Sequence, residues 1–246
     1  MKKIIKKIIQ RYLKLLSRIA ILRYKPEIIA IAGSTGKNPI KEELNNLLKD
    51  NFNIRTGPKK YNAEIGVPLT IFGLVSDSGK FKVWFPLVLK ATKMTFFADD
   101  FPEKIILELG ISHPNDVDYF LSIIRPQITI LTDINSQYAD NFGGLDLIAE
   151  EYIKLVKATK KSGLVVLNND DLRIRKLNIF SDAKVIYYGK GEGSDIKAVE
   201  IEEKGSKTIF TVNFKDKKEE VFINKFGNHH IYAKLISIGV KEYYKI

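Results

Sequence analysis

A short apolar run followed by a glycine-rich turn limits the architectures open to this chain. Residues 28–32 have the length and composition of a buried strand, and residues 41–48 have helical spacing. The turn between them consists of Gly33, Ser34, Thr35, Gly36 and Lys37. A strand, a glycine-rich turn and a helix in this order direct backbone N–H groups at phosphate. Asn38 stands where that motif has a Mg²⁺-binding Ser or Thr, so the sequence indicates a nucleotide site, a damaged one or a coincidental match.

The same alternation of strands and helices continues along the chain. Further strands are predicted at residues 53–55, 104–109, 128–131 and 164–167, and further helices at residues 115–124, 145–160 and 226–240. From about residue 184 the pattern changes to short strands at residues 185–188, 196–202, 208–214 and 219–223. We therefore expect an α/β fold with a mostly parallel sheet flanked by helices, to which a small β meander is added late.

Polar residues stand where the predicted parallel strands end. Gly33, Glu108, Asp133 and Asn168 all fall at such ends. Ligands of open parallel sheets bind at the carboxyl ends of the strands, so we expect these residues to lie at one site. Residues 75–103 show no clear pattern, but the aromatic side chains there predict burial rather than disorder: Trp84, Phe85, Phe96 and Phe97.

The first 25 residues hold nine basic side chains and no acidic one, which leaves 31 basic against 29 acidic residues elsewhere. Ile and Leu recur among them at helical spacing, which predicts a basic amphipathic helix. Such a helix either lies on an anionic membrane surface or a partner protein, or packs on its own domain with solvated lysines. The interleaving with Ile and Leu rather than stacking aromatics argues against nucleic acid. No apolar run is long enough for a transmembrane span, and lysines interrupt every candidate signal-peptide core.

The scarcity of cysteine and histidine excludes several kinds of site. The chain has no cysteine, and therefore no disulfide framework, no thiolate metal site and no thiol nucleophile. Three histidines leave little material for a histidine-rich metal site. The composition fits a reducing compartment, and we expect a cytoplasmic protein, with the inner membrane face as the place of any peripheral attachment.

Five segments in order resemble one family. They are residues 33–37 (GSTGK), 61–69 (YNAEIGVPL), 106–110 (ILELG), 125–134 (RPQITILTDI) and 167–171 (LNNDD). Together they resemble the central ATPase domain of the Mur ligases, most of all that of the D-alanyl-D-alanine-adding enzyme of peptidoglycan synthesis. Residues 227–230 fall where that family has a nucleotide-contacting helix. The resemblance covers about residues 26–241.

The resemblance implies ATP-dependent amide formation with ATP and Mg²⁺, acting on a peptidoglycan precursor. It assigns phosphate binding to Lys37 and metal binding to Glu108, both with catalytic roles. It assigns nucleotide binding to the whole loop from Gly33 to Asn38. The further nucleotide residues are Asn168, Asp171 and His229, and the substrate-loop residues are Tyr61 and Asn62.

Several positions depart from the family pattern. Asn38 replaces a metal-binding hydroxyl, Tyr138 a metal-binding His, and Tyr152 a lysine that becomes carbamylated. Lys154 cannot substitute for that lysine, because two residues along a helix turn it to roughly the opposite face. His230 and Ala233 replace two asparagines of the nucleotide-contacting helix. We therefore expect a degenerate ligase domain with weak or no activity alone; the alternative is a non-catalytic scaffold on a membrane or a partner.

The resemblance also predicts the domain organisation. Residues 1–25 form the amphipathic helix and residues 26–246 the central domain. The family's N-terminal UDP-binding domain and its C-terminal domain have no counterpart in the sequence.

Overall fold

The computed structural model describes residues 2–76, 81–205 and 207–246. The strands are β1 (Glu27–Ala32), β2 (Ile54–Thr56), β3 (Lys104–Leu109), β4 (Ile128–Leu131), β5 (Leu164–Asn168), β6 (Lys184–Gly189), β7 (Ile196–Lys204), β8 (Lys207–Phe214) and β9 (Lys217–Ile223). The helices are α1 (Lys2–Tyr24), α2 (Lys37–Leu48), α3 (Gly66–Phe72), α4 (Phe81–Phe97), α5 (Asp116–Leu121), α6 (Ala139–Phe142), α7 (Leu145–Ala158), α8 (Leu172–Arg175) and α9 (Asn228–Tyr244). Two 3-10 turns cover Ser136–Tyr138 and Lys176–Phe180.

One sheet runs through these segments in the order β2-β3-β1-β4-β5-β6-β7-β8-β9. The pairs from β2 to β7 are parallel, and β7-β8 and β8-β9 are antiparallel. The predicted α/β fold with a mostly parallel sheet and a late antiparallel part is confirmed. In one detail the prediction was wrong: β6 does not belong to the meander but pairs with β5 in parallel.

The central strands are buried on both faces, which is why they appear in the sequence as continuous apolar runs. Alternate residues of β1 point to opposite sides of the sheet. Ile29 and Ile31 pack with α2 and α9, whereas Ala30 and Ala32 pack with α3, α5 and α7. The carboxyl ends of β1, β3, β4 and β5 therefore meet at one edge, between helices of both layers.

Helices α1 and α4 form an additional layer over α3. Leu13, Leu16 and Ala20 of α1 pack with Phe72 of α3 and Ala91 of α4 in a cluster of their own. The predicted amphipathic helix is therefore present, and one of its faces packs on its own domain. None of the helices in the described ranges has the length and hydropathy needed to cross a bilayer.

The predicted burial of the aromatic residues in segment 75–103 is wrong for three of them. Phe85, Phe96 and Phe97 are exposed, and Trp84 is half-buried. The reason is that α4 packs on its neighbours with one face, on which Ala91 and Thr95 are buried, and these three side chains point away from that face. Part of that segment, residues 77–80, lies outside the described residues.

Candidate nucleotide-binding site

The loop after β1 can be built only with glycine at its first position. Gly33 has φ +140°, and a Cβ there would lie 1.7 Å from Thr132 Oγ1 of the neighbouring strand end. Gly36 has φ +76° and caps the N-terminus of α2. Both conformations are ones that glycine adopts at little cost. The first turn of α2 then presents the amides of Lys37 and Asn38 at the edge of the sheet.

Several hydrogen bonds tie this loop to the end of β4, among them one from the Ser34 N–H to the Asp133 carbonyl (3.0 Å). Thr35 donates its N–H to Asp133 Oδ1 (2.7 Å) and its hydroxyl to Asp133 Oδ2 (2.9 Å). Thr132 Oγ1 donates to the Thr35 carbonyl (2.7 Å), and the Asn135 N–H donates to Ser34 Oγ (3.0 Å). The loop is therefore held in one conformation, at the cost of placing a carboxylate beside it.

Lys37 is folded back over the loop that precedes it. Its ammonium donates to the carbonyls of Gly33 and Ser34, the latter at 3.2 Å. Burial lowers the pKa of Lys37, while Glu108 and Asp133 nearby oppose that shift. A cation held at a glycine-rich loop suits a phosphate group.

Glu108 of β3 is paired with a second lysine. Lys41 Nζ lies 2.6 Å from Glu108 Oε1, and both side chains are buried. The contact is one of charge rather than an aligned hydrogen bond, since Oε1 has no hydrogen-bond partner among the described residues. Lys41 instead donates to the Gly57 carbonyl at 2.8 Å. The carboxylate that the sequence singled out is therefore neutralised inside the protein.

Of the two polar atoms of the Asn38 side-chain amide, one is hydrogen-bonded within the described residues and the other is not. Its Nδ2 donates to Glu42 Oε1 at 2.8 Å, which lowers the pKa of Glu42. Its Oδ1 is buried and has no hydrogen-bond partner in the described part of the chain. An orphaned acceptor oxygen near a carboxylate suits a hard cation or its bound water.

A cavity of about 360 Å³ adjoins the loop. Two tyrosines form one wall of it, with ring centroids 5.5 Å apart and edge-to-face geometry. Tyr188 donates to the Leu131 carbonyl (3.2 Å) and Tyr232 to Asp170 Oδ2 (2.8 Å). Burial raises the pKa of both phenols, so they stay neutral hydrogen-bond donors. An apolar aromatic wall beside a phosphate loop suits a nucleoside.

Asn168 and Asp171 also line this cavity, but their polar atoms are engaged within the protein. Asn168 donates to the Thr132 carbonyl (2.6 Å) and accepts from the Asp170 N–H (2.9 Å). Asp171 caps α8 by accepting from the N–H groups of Arg173 and Ile174, and it also accepts from the Ile134 N–H. Asn168 and Asp171 therefore hold the cavity wall in place through these hydrogen bonds.

The N-terminus of α9 closes the other side. Asn228 and His229 line the cavity, and His229 lies over Gly36 of the loop. His230 and Ala233 do not line it; they face α2 in a separate groove of about 330 Å³. These two positions, which depart from the family pattern, therefore do not line the cavity beside the loop.

The predicted substrate loop is fastened to the end of β3. The Gly110 N–H donates to the Asn62 carbonyl at 2.7 Å, two residues beyond Glu108. The Tyr61 hydroxyl accepts from the Ser76 N–H (2.7 Å) and donates to the Ser76 carbonyl (3.2 Å). The structure therefore brings this loop to the same edge of the sheet as Glu108.

The place predicted for a second metal is filled by phenols. Tyr152 of α7 is buried, and its pKa is raised by burial and by Asp133 and Asp171 nearby. Tyr138 packs against the core cluster that includes Tyr152. Lys154 lies elsewhere, paired with Asp118 and Glu151 at 2.6 Å each. Within the described ranges no three His, Asp or Glu side chains come together as metal ligands.

Sequence reasoning missed the aromatic wall and the Lys41 pair. Tyr232 follows Asn228 by four residues, so the two share a helix face, and that spacing could have placed Tyr232 in the site. Tyr188 and Lys41 gave no comparable signal, because their partners are distant in sequence.

Comparisons with known proteins agree with this geometry. Residues 85–241, more than half of the chain, match the Mur ligase middle domain. The UDP-N-acetylmuramoyl-tripeptide–D-alanyl-D-alanine ligase of Mycobacterium tuberculosis is 26% identical over 87% of this chain and 37% of its own length. The Bacillus subtilis enzyme of the same name is 21% identical over 89% of this chain and 42% of its own. The chain thus spans less than half of the length of these curated relatives.

Solved structures give the same fold. The MurF ligase of Thermotoga maritima, in complex with ADP, superposes with a TM-score of 0.77 at 22% identity, over 96% of this chain and 49% of its own. The apo form of FPGS from L. casei superposes with a TM-score of 0.67 at 13% identity, over 96% of this chain and 62% of its own.

Proposed function

The chain belongs to the Mur ligase middle-domain family, and we propose that it binds ATP in the cavity beside Gly33–Lys37 while its ligase chemistry is degenerate. In a working ligase of this type, ATP phosphorylates a carboxylate of a peptidoglycan precursor to give an acyl phosphate and ADP. An amine then attacks the acyl carbon, and the amide forms as phosphate leaves. We propose that this chain alone performs that reaction weakly or not at all.

Nucleotide binding is supported above all by the loop and the cavity being contiguous. Gly36 and Thr35 belong to the loop and also line the cavity with Tyr188 and Tyr232. One continuous surface would then bind the triphosphate of the nucleotide at the loop and its base against the two tyrosines. Lys37 and the N-terminus of α2 supply positive charge for the phosphates.

The residues present fit one magnesium ion. Glu108 and the orphaned Oδ1 of Asn38 would hold it, and it would neutralise charge on the transferred phosphoryl group. Lys41 competes for that carboxylate. The residues do not fit a second metal, because Tyr138 and Tyr152 replace its ligands and the pKa of Tyr152 is raised by burial.

These departures are the reason to propose weak turnover. Altering even the residues that support a metal's ligands typically costs 10- to 100-fold in affinity or activity, and loss of a ligand is no milder. Asp133 adds a negative charge next to the phosphate loop. Binding tolerates such changes better than the transition state does, because charge builds up on the phosphoryl group only during transfer.

Isothermal calorimetry with MgATP tests nucleotide binding. We expect heat of binding for the parent chain, its loss in Lys37→Ala, and no change in Lys161→Ala, whose side chain is exposed and pairs with Asp182. Absence of binding by the parent, or equal binding by Lys37→Ala, would contradict the proposal.

Phosphate release tests the degenerate chemistry. With a peptidoglycan precursor and D-Ala-D-Ala we expect turnover below about one per second, the lower end of ordinary enzymes. Faster turnover that depends on Lys37 would show that the site is a working ligase.

We also propose a second candidate function, a scaffold held at the inner membrane face or on a partner through residues 1–25. The observation in its favour is that α1 packs on the domain with one face only, so other apolar side chains remain exposed. Deleting the helix would remove Leu13, Leu16 and Ala20 from the core. Ile8→Glu with Leu15→Glu is therefore the better test, and unchanged attachment in that variant would reject this function.

A further inference from the structure

Helix α1 has two apolar faces, of which its own domain covers one. Leu13, Leu16 and Ala20 are buried, whereas Ile4, Ile8, Leu15 and Leu22 are 52–66% exposed. At 100° per residue these four side chains fall within about 40° of arc. A helix that packs as an ordinary part of a domain would place polar residues there.

Helix α4 continues this exposed apolar surface. Phe85, Leu89 and Phe96 are 40–66% exposed, and their spacing also places them within about 40° of arc. Thr92 lies on the same face, and its hydroxyl is 3.1 Å from the hydroxyl of Tyr12 on α1. The two stripes are therefore joined by a direct contact.

Most of the exposed apolar area of the described residues lies on these two helices. They carry nine of the 15 large apolar side chains that are exposed there: Ile4, Ile8, Tyr12, Leu15, Leu22, Phe85, Leu89, Phe96 and Phe97. Scattered exposed apolar residues need no explanation, but a contiguous patch marks a surface that is covered in use.

The charged residues of α1 and α4 are all basic, whereas the exposed Asp99 and Asp100 follow directly after α4. Neither residues 2–24 nor residues 81–97 include an acidic residue. Arg11 and Arg18, next to the apolar stripe on α1, are exposed, as are Lys90 and Lys93 on α4. An apolar stripe flanked by basic residues on its own two helices complements anionic lipid headgroups above an apolar layer.

We propose that the α1–α4 surface docks the protein on an anionic phospholipid membrane, with α1 and α4 lying side by side in the interface. The inference rests on the peripheral attachment proposed above, adds α4 to it and commits to lipid. Both helices lie on the membrane rather than crossing it.

Vesicle co-sedimentation of the full chain tests this inference. We expect binding to vesicles of phosphatidylcholine with phosphatidylglycerol, little binding to phosphatidylcholine alone, and weakening by salt. Ile8→Glu with Leu15→Glu on α1, and Phe85→Glu with Leu89→Glu on α4, should each lower the partition coefficient about tenfold. The matched control is Ile179→Glu with Phe222→Glu, two exposed apolar residues outside this surface, which should bind as the parent does.

Each other outcome is decisive. If only the α1 variant lost vesicle binding, attachment through residues 1–25 would be supported, but the role of α4 in the α1–α4 surface would be overturned. Equal binding to both kinds of vesicle would overturn the role of charge. A parent that does not bind vesicles but dimerises in light scattering, with both variants monomeric, would assign the surface to a second copy. Nucleotide titration of the same variants separates this inference from ATP binding, which they should leave unchanged.

Discussion

The two halves of the candidate nucleotide site differ in the side chains that they bring to it. On the β1–β3 side, glycines set the loop conformation, and Lys37, Lys41 and Glu108 keep buried charges in place. On the β4–α7 side, Tyr138 and Tyr152 supply phenols, and the nearby carboxylate of Asp133 is turned onto the loop. In the function proposed above, the first half provides what binding a nucleotide needs, and the second lacks what transferring its phosphate needs.

The difference indicates that the backbone conformation of the phosphate loop can persist when charged side chains elsewhere in the site are replaced. A glycine whose Cβ would collide with Thr132 cannot be replaced without moving the loop. A metal ligand on a helix can become tyrosine if the packing accepts the ring, and Tyr152 is fully packed. Variants in the two halves should therefore differ in their effects on stability and on nucleotide affinity.

The largest effect is expected at the buried ion pair. Lys41→Met leaves Glu108 charged and unpaired, which should cost about 3–5 kcal/mol of unfolding free energy. Lys41→Met with Glu108→Leu should recover most of that loss, because no lone charge remains buried. Urea denaturation measures both.

Lys161→Met is the control, since Lys161 pairs with Asp182 at the surface and its loss should cost less than about 1 kcal/mol. If the Lys41 and Lys161 variants lost equal stability, the first half would not depend on buried charge.

The next effect is expected at the loop. Gly33 and Gly144 have similar φ angles, +140° and +145°, but a Cβ at Gly144 meets nothing within 4 Å. Gly144→Ala should therefore cost only backbone strain, about 1–2 kcal/mol. Gly33→Ala adds a collision with Thr132 worth about 2 kcal/mol more, and it should also abolish nucleotide binding.

Denaturation and calorimetry on this pair separate strain from collision. Equal costs for the two variants would mean that the close approach of Gly33 to β4 does not constrain the loop.

A smaller effect, and a gain, is expected at Asp133. Asp133→Asn removes a negative charge beside the phosphate loop and can keep the hydrogen bonds to Thr35. We expect affinity for ATP to rise about tenfold, as removal of a nearby like charge at intermediate dielectric allows. Asp182→Asn at the surface should change nothing. Weaker binding by Asp133→Asn would show that this carboxylate helps to hold the nucleotide, and the division into two halves would fail.

The sequence predicted the β1–loop–α2 unit because its signals are local. A buried strand, Gly33 and Gly36, and a helical repeat lie within about 20 residues, and the strand boundaries at Lys104–Leu109 and Ile128–Leu131 followed from equally local runs. The order of the strands in the sheet and the parallel pairing of β6 depend on contacts between segments far apart, which periodicity does not record.

The same limit explains what sequence reasoning missed in the site and its error at the surface. Local patterns do not show that Lys41 pairs with Glu108, or that His230 faces α2 rather than the cavity. The aromatic residues of α4 were expected to be buried because aromatic side chains usually are. Their exposure follows from which face of α4 packs on its neighbours, which is a property of the assembled layers.

The smallest effect is expected at the hydroxyl of Tyr152. If this residue serves as packing in place of a catalytic lysine, Tyr152→Phe keeps the ring and should change unfolding free energy by less than about 1 kcal/mol. ATP affinity should also stay near that of the parent, because a neutral phenol offers a phosphate or a metal little. Denaturation and calorimetry check the two quantities, with Tyr138→Phe as the companion variant. A large loss of nucleotide binding in Tyr152→Phe alone would mean that the hydroxyl has taken over a binding role, and that the second half was rebuilt rather than lost.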